Sequence, residues 1–405
     1  MGSAAGGVGS KESRWLPVAG FALVSSANQM LWLDFAPITT GAAARLGVST
    51  STVGILAEVF PVVYVLLALP AGLALDRWFR PTLAAGALLT AVGAVIRLVG
   101  HGFGPVLAGQ LVVAVAQPAV LTAVTGIATR SLSESDRPIG IALGSAGTFL
   151  GFVVAFVLGL VLGAAHLHLL LVVSAGYSVA GAAVLVPALA SVDASAGLRA
   201  VGADRSALRT VWSDPVVRSV CWLVFAGFGV FVAITTWAQA LLQPSGVSAR
   251  GADGMLLAMV GAGIVTAVAL PPVVANRAKQ PLVLAVAGGA SFVALLALAS
   301  VPGRDTGYAG LALIGLVLLP ALPVLLEVLE TRCGANAGAA TALLWLFGNA
   351  GGMVVALAVQ AVVASTAAAF GLMAAVAVAA MPLARRLAVR LRPPPGVALA
   401  TNGEP

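Results

Sequence analysis

Ionisable residues that stand out inside long apolar stretches of this 405-residue chain are Asp34, Glu58, Arg97, Glu327 and Glu330. A charge in such surroundings is costly, so each is a candidate for function. Two chemistries are open to Asp34, Glu58 and Arg97. They can form a partly buried ion-pair set that gates the structure or meets a charge on a ligand, or one carboxylate can carry a proton. An arginine at the level of the carboxylates favours the ion-pair reading. Glu327 and Glu330 fall at the end of their stretch, beside Arg332, and read as solvated partners of that arginine.

The neutral candidates are Asn28, Gln117, Trp345 and Asn349. An amide facing hydrocarbon would go unsatisfied, so all four are expected to face an interior. Trp32 lies two residues from Asp34, and Trp237 occupies the corresponding part of the second half of the chain. Two indole faces near a carboxylate suit an organic cation, since cation–π attraction is worth about 2 kcal/mol when desolvated. The alternative is a pair of tryptophans in the interfacial belt. No nucleophile–base pair, metal-ligand spacing or phosphate loop accompanies these residues, so neither an enzyme nor a nucleotide-driven pump is expected, and no cofactor.

The elements that position these residues follow from composition. Hydrophobic residues make up 60% and charged residues 9%, against roughly 25% charged in an ordinary soluble domain. The mean hydropathy is +1.07. Cores stop growing near about 250–300 residues, so lipid must cover most of this surface. A bilayer needs roughly 20 apolar residues per helical crossing. That ruler predicts twelve spans near 15–38, 52–75, 81–100, 104–129, 138–163, 167–190, 215–241, 252–275, 281–300, 307–330, 337–362 and 366–384. The fold class is therefore an all-α membrane protein of two six-helix halves, 15–190 and 215–384. A disordered cytoplasmic stretch (1–14) precedes them, a central cytoplasmic loop (191–214) joins them, and a tail (385–405) follows. Residues 1–14 are small and polar, and no secretory signal is expected.

Of the 21 Lys and Arg residues, Arg97 lies in a span and three (Arg45, Arg250, Arg304) lie opposite the termini, leaving 17 on the side of the termini. By the positive-inside rule both termini are cytoplasmic, in a cell membrane. The net charge of +7 is thereby explained, with no nucleic-acid partner. The halves also repeat. Gly72-Leu-Ala-Leu-Asp76-Arg77-Trp-Phe-Arg80-Pro81 follows span 2, and Pro272-Val-Val-Ala-Asn276-Arg277-Ala-Lys279-Gln-Pro281 follows span 8, in register at Asp76/Asn276, Arg77/Arg277 and Pro81/Pro281.

Parallel six-span repeats are the pattern of the major facilitator superfamily, and 72–81 resembles that family's loop signature, with Phe79 and Pro81 as departures. The resemblance implies that Asp76, Arg77 and Arg80 form a cytoplasmic latch. It also implies that spans 1, 4, 7 and 10 line a central cavity, and that the halves rock around a midplane site. A closer likeness rests on Asn28-x-x-x-Trp32-x-x-Phe35-x-Pro-Ile38, on 86–97 ending in Arg97, on Ala116-Gln117-Pro118, and on 337–348. These segments resemble the feline leukaemia virus subgroup C receptor-related transporters, a branch linked to choline and haem. That likeness implies Trp32 against a quaternary ammonium. Departures are Phe149 and Trp345 where the branch's vertebrate choline carriers have glutamines, and Thr236 or Trp237 where they have a tyrosine.

The expected function is movement of a small organic solute, a cation among the candidates, by uniport or with protons. A proton-driven exporter is the alternative. Span 5 keeps Gly147 and Gly151 but lacks the Gly-Pro and paired glycines of the exporters' signature. A monomer is sufficient for this architecture.

Overall fold

The computed structural model describes residues 8–100, 102–192, 205–274 and 280–391, and every regular element among them is helical. Helix is the expected outcome, because a segment in lipid must satisfy its backbone internally. The first half comprises α1 (Val8–Leu33), a 3₁₀ turn (Ala36–Ile38), α2 (Thr39–Leu46), α3 (Thr50–Arg77), α4 (Phe79–Ile96), α5 (Phe103–Thr122), α6 (Val124–Ser131), α7 (Arg137–Leu162) and α8 (Leu167–Ala188). A short α9 (Arg205–Ser213) leads into the second half. There follow α10 (Pro215–Leu242), α11 (Ala249–Val274), α12 (Gln280–Ser300), α13 (Arg304–Leu318), α14 (Ala321–Cys333), α15 (Ala337–Ala361) and α16 (Thr366–Leu391).

Ten helical segments are long and apolar enough to cross a membrane, by length and composition among the described residues. The remaining two expected spans correspond to α11 and to the α13–α14 pair. The chain is a multi-pass membrane protein. α1 begins at Val8, seven residues before the expected start of the first span, and α16 runs to Leu391, past 384.

The internal repeat is visible in the packing. α1 packs on α7 as α10 packs on α15, α3 on α5 as α11 on α13, and α4 on α8 as α12 on α16. Close approach within the first pair needs glycine: a Cβ on Gly147 would come within 2.6 Å of the Ala22 carbonyl, and one on Gly151 within 2.9 Å of the Met30 nitrogen. Small residues let backbones approach in this way.

Spans 4 and 10 are broken at matching places. α5 ends at Thr122, one turn after Pro118, and α13 ends at Leu318, before Pro320. Proline lacks the N–H that a helix interior needs and crowds the preceding turn. The stretch expected as the central loop holds α9. Val211 of α9 is buried and Trp212 stacks on Phe347 of α15 at 5.1 Å.

Contacts between the halves gather at one face of the bundle. There α10 meets the 3₁₀ turn and α2, α15 meets α3, and α11 meets α7. At the other face, where α1 begins, a cavity of about 1500 Å³ separates them. These are named the closed and open faces.

Candidate functional site

At mid-depth a pocket of about 130 Å³ lies between the halves. Phe152 and Phe231, both near the middle of their helices, form part of its wall. Trp32 lies 6.0 Å from Phe152 and 6.1 Å from Phe228, ring centre to ring centre; Phe228 meets Trp345 edge-on at 6.0 Å. The Trp32 indole N–H donates to the Ala57 carbonyl at 2.9 Å, which fixes the ring and leaves its face to the pocket. Polar groups are few: Gln29, Thr148, Ser291 and Asn349, and no charged side chain lines it among the described residues. Leu121, Thr148, Phe149, Leu322 and Trp345 also line the larger cavity, so the pocket is the inner end of one path to the open face. Among the described residues Arg130 is the charged one lining that path, its guanidinium 4.1 Å from the Phe79 ring centre.

The remaining expected site residues fall elsewhere. Asn28 donates to Thr90 at 3.2 Å and to the Val113 carbonyl at 3.3 Å, so it ties α1 to α4 and α5. Gln117 is buried on α5 with neither amide atom hydrogen-bonded. Asn349 does line the pocket and donates to the Trp345 carbonyl at 2.9 Å.

Asp34 and Arg97 form a buried ion pair at 2.6 Å, with side chains 0% and 1% exposed. Gly109 of α5 makes room for it, since a Cβ there would stand 2.5 Å from Arg97 Cγ. The guanidinium also sits 5.2 Å from the Phe35 ring. The pair lines neither cavity and braces the first half beneath the closed face. Glu58 stands apart from the pair, beside Trp237, and its Oε1 has no partner.

Trp237 is fully buried in the closed face, donating to the Ala356 carbonyl at 3.2 Å, with its ring against Gly54 of α3. Gln239, two residues on, accepts from the Thr40 amide at 2.9 Å and donates to the Pro37 carbonyl. Gln360 donates to the Ser51 carbonyl at 3.3 Å. These polar bonds cross between the halves.

At the open face Arg77 lies 4.8 Å from the Trp78 ring and the Arg80 Nε has no partner. Asp76 occupies the last turn of α3. Its side chain, and the expected counterparts Asn276 and Arg277, lie outside the described residues. Arg332 pairs with Asp214 at 2.8 Å; of its expected partners Glu327 and Glu330, the Glu330 side chain lies outside the described residues. Asp214 also caps α10, accepting from the Val216 amide at 2.7 Å. Burial alone would raise the Asp214 carboxyl. The bonds from Arg332 and Val216, with the charges of Arg332 and Arg390, outweigh it and hold the group below the ordinary carboxylate value.

Sequence reasoning missed Gln29, Ser291, Gln239 and Asp253. Gln29 lies three residues before Trp32, hence on the same helix face, which was the available signal. Asp253 is buried near the start of α11 and its Oδ1 has no partner.

Comparison with known proteins agrees with this architecture. Residues 18–357 match the family model of the Major Facilitator Superfamily. Solute carrier family 49 member A3 of Danio rerio is 26% identical over 258 residues, 58% of this chain and 53% of that protein. An uncharacterized MFS-type transporter of Caenorhabditis elegans is 29% identical over 149 residues, 36% of this chain and 25% of that one. The matches thus span about half or less of these two relatives' length. Among solved structures, a bacterial homologue of the human lysosomal transporter Spinster, inward-facing and unoccupied, superposes with a TM-score of 0.67 at 15% identity, covering 97% of this chain and 100% of that one. A peptide transporter superposes with 0.69 at 13% identity, covering 95% and 96%. At such identities the likeness shows the fold. With the family model covering most of the chain, the protein belongs to the Major Facilitator Superfamily of membrane transporters.

Proposed function

We propose that the chain moves a small organic solute, with an organic cation as the leading candidate, through the pocket between its halves. The observation that carries this reading is the wall itself: aromatic rings from both halves, no charged side chain, and a continuous path to one face. Rings attract a desolvated cation by about 2 kcal/mol, and an uncharged wall leaves that attraction unopposed. The likeness to the choline- and haem-linked branch supports a quaternary ammonium. Trp32, Trp345, Asn349 and Gln29 then meet the solute, whereas Asn28 ties α1 to α4 and α5. The Asp34–Arg97 pair keeps the closed face in shape, with Trp237 and Gln239 in the closure.

Alternating access follows from the repeat, with 15–190 rocking against 215–384 across the 191–214 connection. The excess of Lys and Arg near the termini makes the open face cytoplasmic, in a cell membrane. Asp76, Arg77 and Arg80 would latch the halves in the opposite state. One copy of the chain suffices.

The test is uptake of labelled choline and larger quaternary ammonium ions into proteoliposomes. Saturable uptake is expected, with KM raised at least about tenfold in Trp345→Ala. No uptake of any cation sinks the cation assignment. The second reading, a proton-linked exporter, is favoured by two buried carboxyl groups with unpartnered oxygens, Glu58 and Asp253. Uptake that responds to an imposed pH gradient, and loses the response in Asp253→Asn, would select it.

A further inference from the structure

The pocket does not end at the aromatic rings. It continues into the second half as a slot behind α10 and α14. From α12 the slot is lined by Leu284, Ala287, Gly288 and Ser291, and from α16 by Ala377, Ala380, Met381 and Ala384. Both sets have the spacing i, i+3, i+4, i+7, which is one face of a helix. Each set therefore runs about 10 Å along its helix. The side chains are mostly small, and the break between α13 and α14 lies against the same space, through Leu318, Leu319 and Ala321.

Two features separate the slot from a packing defect. Ser291 is 2% exposed, lines the slot, and its hydroxyl has no hydrogen-bond partner. Gln29 is 1% exposed on the opposite wall, with its Nε2 equally unpartnered. Buried polar groups are nearly always paired, so two unmet groups on residues that line one pocket imply a visiting partner. The size is also informative. An engineered apolar cavity of about 150 Å³ binds benzene, and this pocket has about 130 Å³.

We propose that the substrate is amphiphilic and binds arm first. A ring-sized apolar arm bearing one hydrogen-bonding oxygen enters the slot between Gln29 and Ser291. The polar or charged head stays at the mouth, between Phe149 and Trp345, where the pocket meets the wide cavity. This inference rests on the transport reading above, and it adds which part of the substrate the second half selects.

The experiment is binding in detergent, read by tryptophan fluorescence, with benzyltrimethylammonium, tetramethylammonium and benzyl alcohol. The first two differ in the ring, the first and third in the charge. Gly288→Val fills the slot. Gly288→Ala is the control, because a Cβ there meets Met381 Cγ at 3.6 Å, an ordinary contact. The expected result is that benzyltrimethylammonium binds about tenfold or more tighter than tetramethylammonium. Gly288→Val should abolish that advantage and weaken benzyl alcohol, with Gly288→Ala close to wild type. Ser291→Ala should weaken benzyl alcohol several-fold and leave tetramethylammonium unchanged. The slot is overturned if the ring confers no advantage, if the advantage survives Gly288→Val, or if neither ring compound binds. Failure of the cation assignment looks different: benzyl alcohol then binds in a Gly288-dependent way and the charge adds nothing.

Discussion

At the scale of single residues, the Asp34–Arg97 pair shows how a costly group is made tolerable. Both side chains are withdrawn from solvent, and the 2.6 Å contact sets the two opposite charges against each other. Removing one member leaves the other buried and unpaired, which costs about 3–5 kcal/mol, whereas replacing both with apolar groups can be close to neutral. Arg97→Leu and Asp34→Leu should therefore each lower the thermal midpoint in detergent by many degrees, and the double variant should regain most of the loss. Additive losses in the double variant would mean that the pair does not act as a unit. Sequence alone marked these residues because a charge in an apolar run is conspicuous. Ser291 and Gln29 were less visible for a physical reason. Serine within a helix often bonds its own preceding carbonyl, as Ser178 does at 2.7 Å, so its presence does not announce an unmet hydroxyl. Gln29 adjoins Asn28, and only the geometry of the helix face decides which amide points to the pocket.

At the scale of elements, the membrane-crossing helices could be read from hydropathy, but their interruptions could not. The breaks after Thr122 and Leu318 lie beside prolines, Pro118 and Pro320, yet α1, α3 and α16 carry internal prolines and continue. Neighbouring packing decides which proline ends a helix. The corner at Asp214 was likewise hidden, because its partner Arg332 is 118 residues away. There the carboxylate caps α10 and ties it to the end of α14, while Arg390 of α16 donates to the Pro215 carbonyl at 2.7 Å. Asp214→Ala should cost about 1–2 kcal/mol, a lost cap plus a half-exposed ion pair. Asp214→Asn keeps a cap and should cost less. The pH dependence has a definite sign. A carboxyl held below its ordinary value stabilises the fold fully above that ordinary value, near 3.8, and the benefit fades as pH falls through the lower folded value. The stability gap between wild type and Asp214→Asn, followed by denaturation from pH 7 to pH 3, should thus shrink only at the acid end. A gap that widens on acidification would contradict this account of the corner.

At the scale of the whole molecule, the two-half plan was legible because the repeat at 72–81 and 272–281 matches the span count. The conformation was not, since the alternating access proposed above requires one sequence to encode both the state seen here and its opposite. What selects this state is the closure made by Trp237, Gln239 and Gln360 against α3, the 3₁₀ turn and α2. Gly54 is the tightest point of that closure: a Cβ would lie 2.7 Å from Trp237 Cζ2 and 3.0 Å from Cζ3, atoms of a ring held by its bond to Ala356. The contact exists only while the face is shut, so a larger side chain penalises this state and spares one in which the halves part there. Gly54→Val should therefore fold and bind detergent normally, yet shift the population away from the open-cavity form. Cysteines placed at Thr341 in the wide cavity and at Thr236 behind the closure report the two faces, once Cys221 and Cys333 are replaced. In the wild type the Thr341 position should react quickly with a polar thiol reagent and the Thr236 position slowly. In Gly54→Val the order should reverse, and solute uptake should fall at least about tenfold, because the cycle must pass through the closed contact. If labelling is unchanged while uptake falls, Gly54 serves local packing alone and the closure lies elsewhere. If both rates are unchanged, the ring yields to the added methyl groups, and the bond from Trp237 to Ala356 is not what holds the closed face.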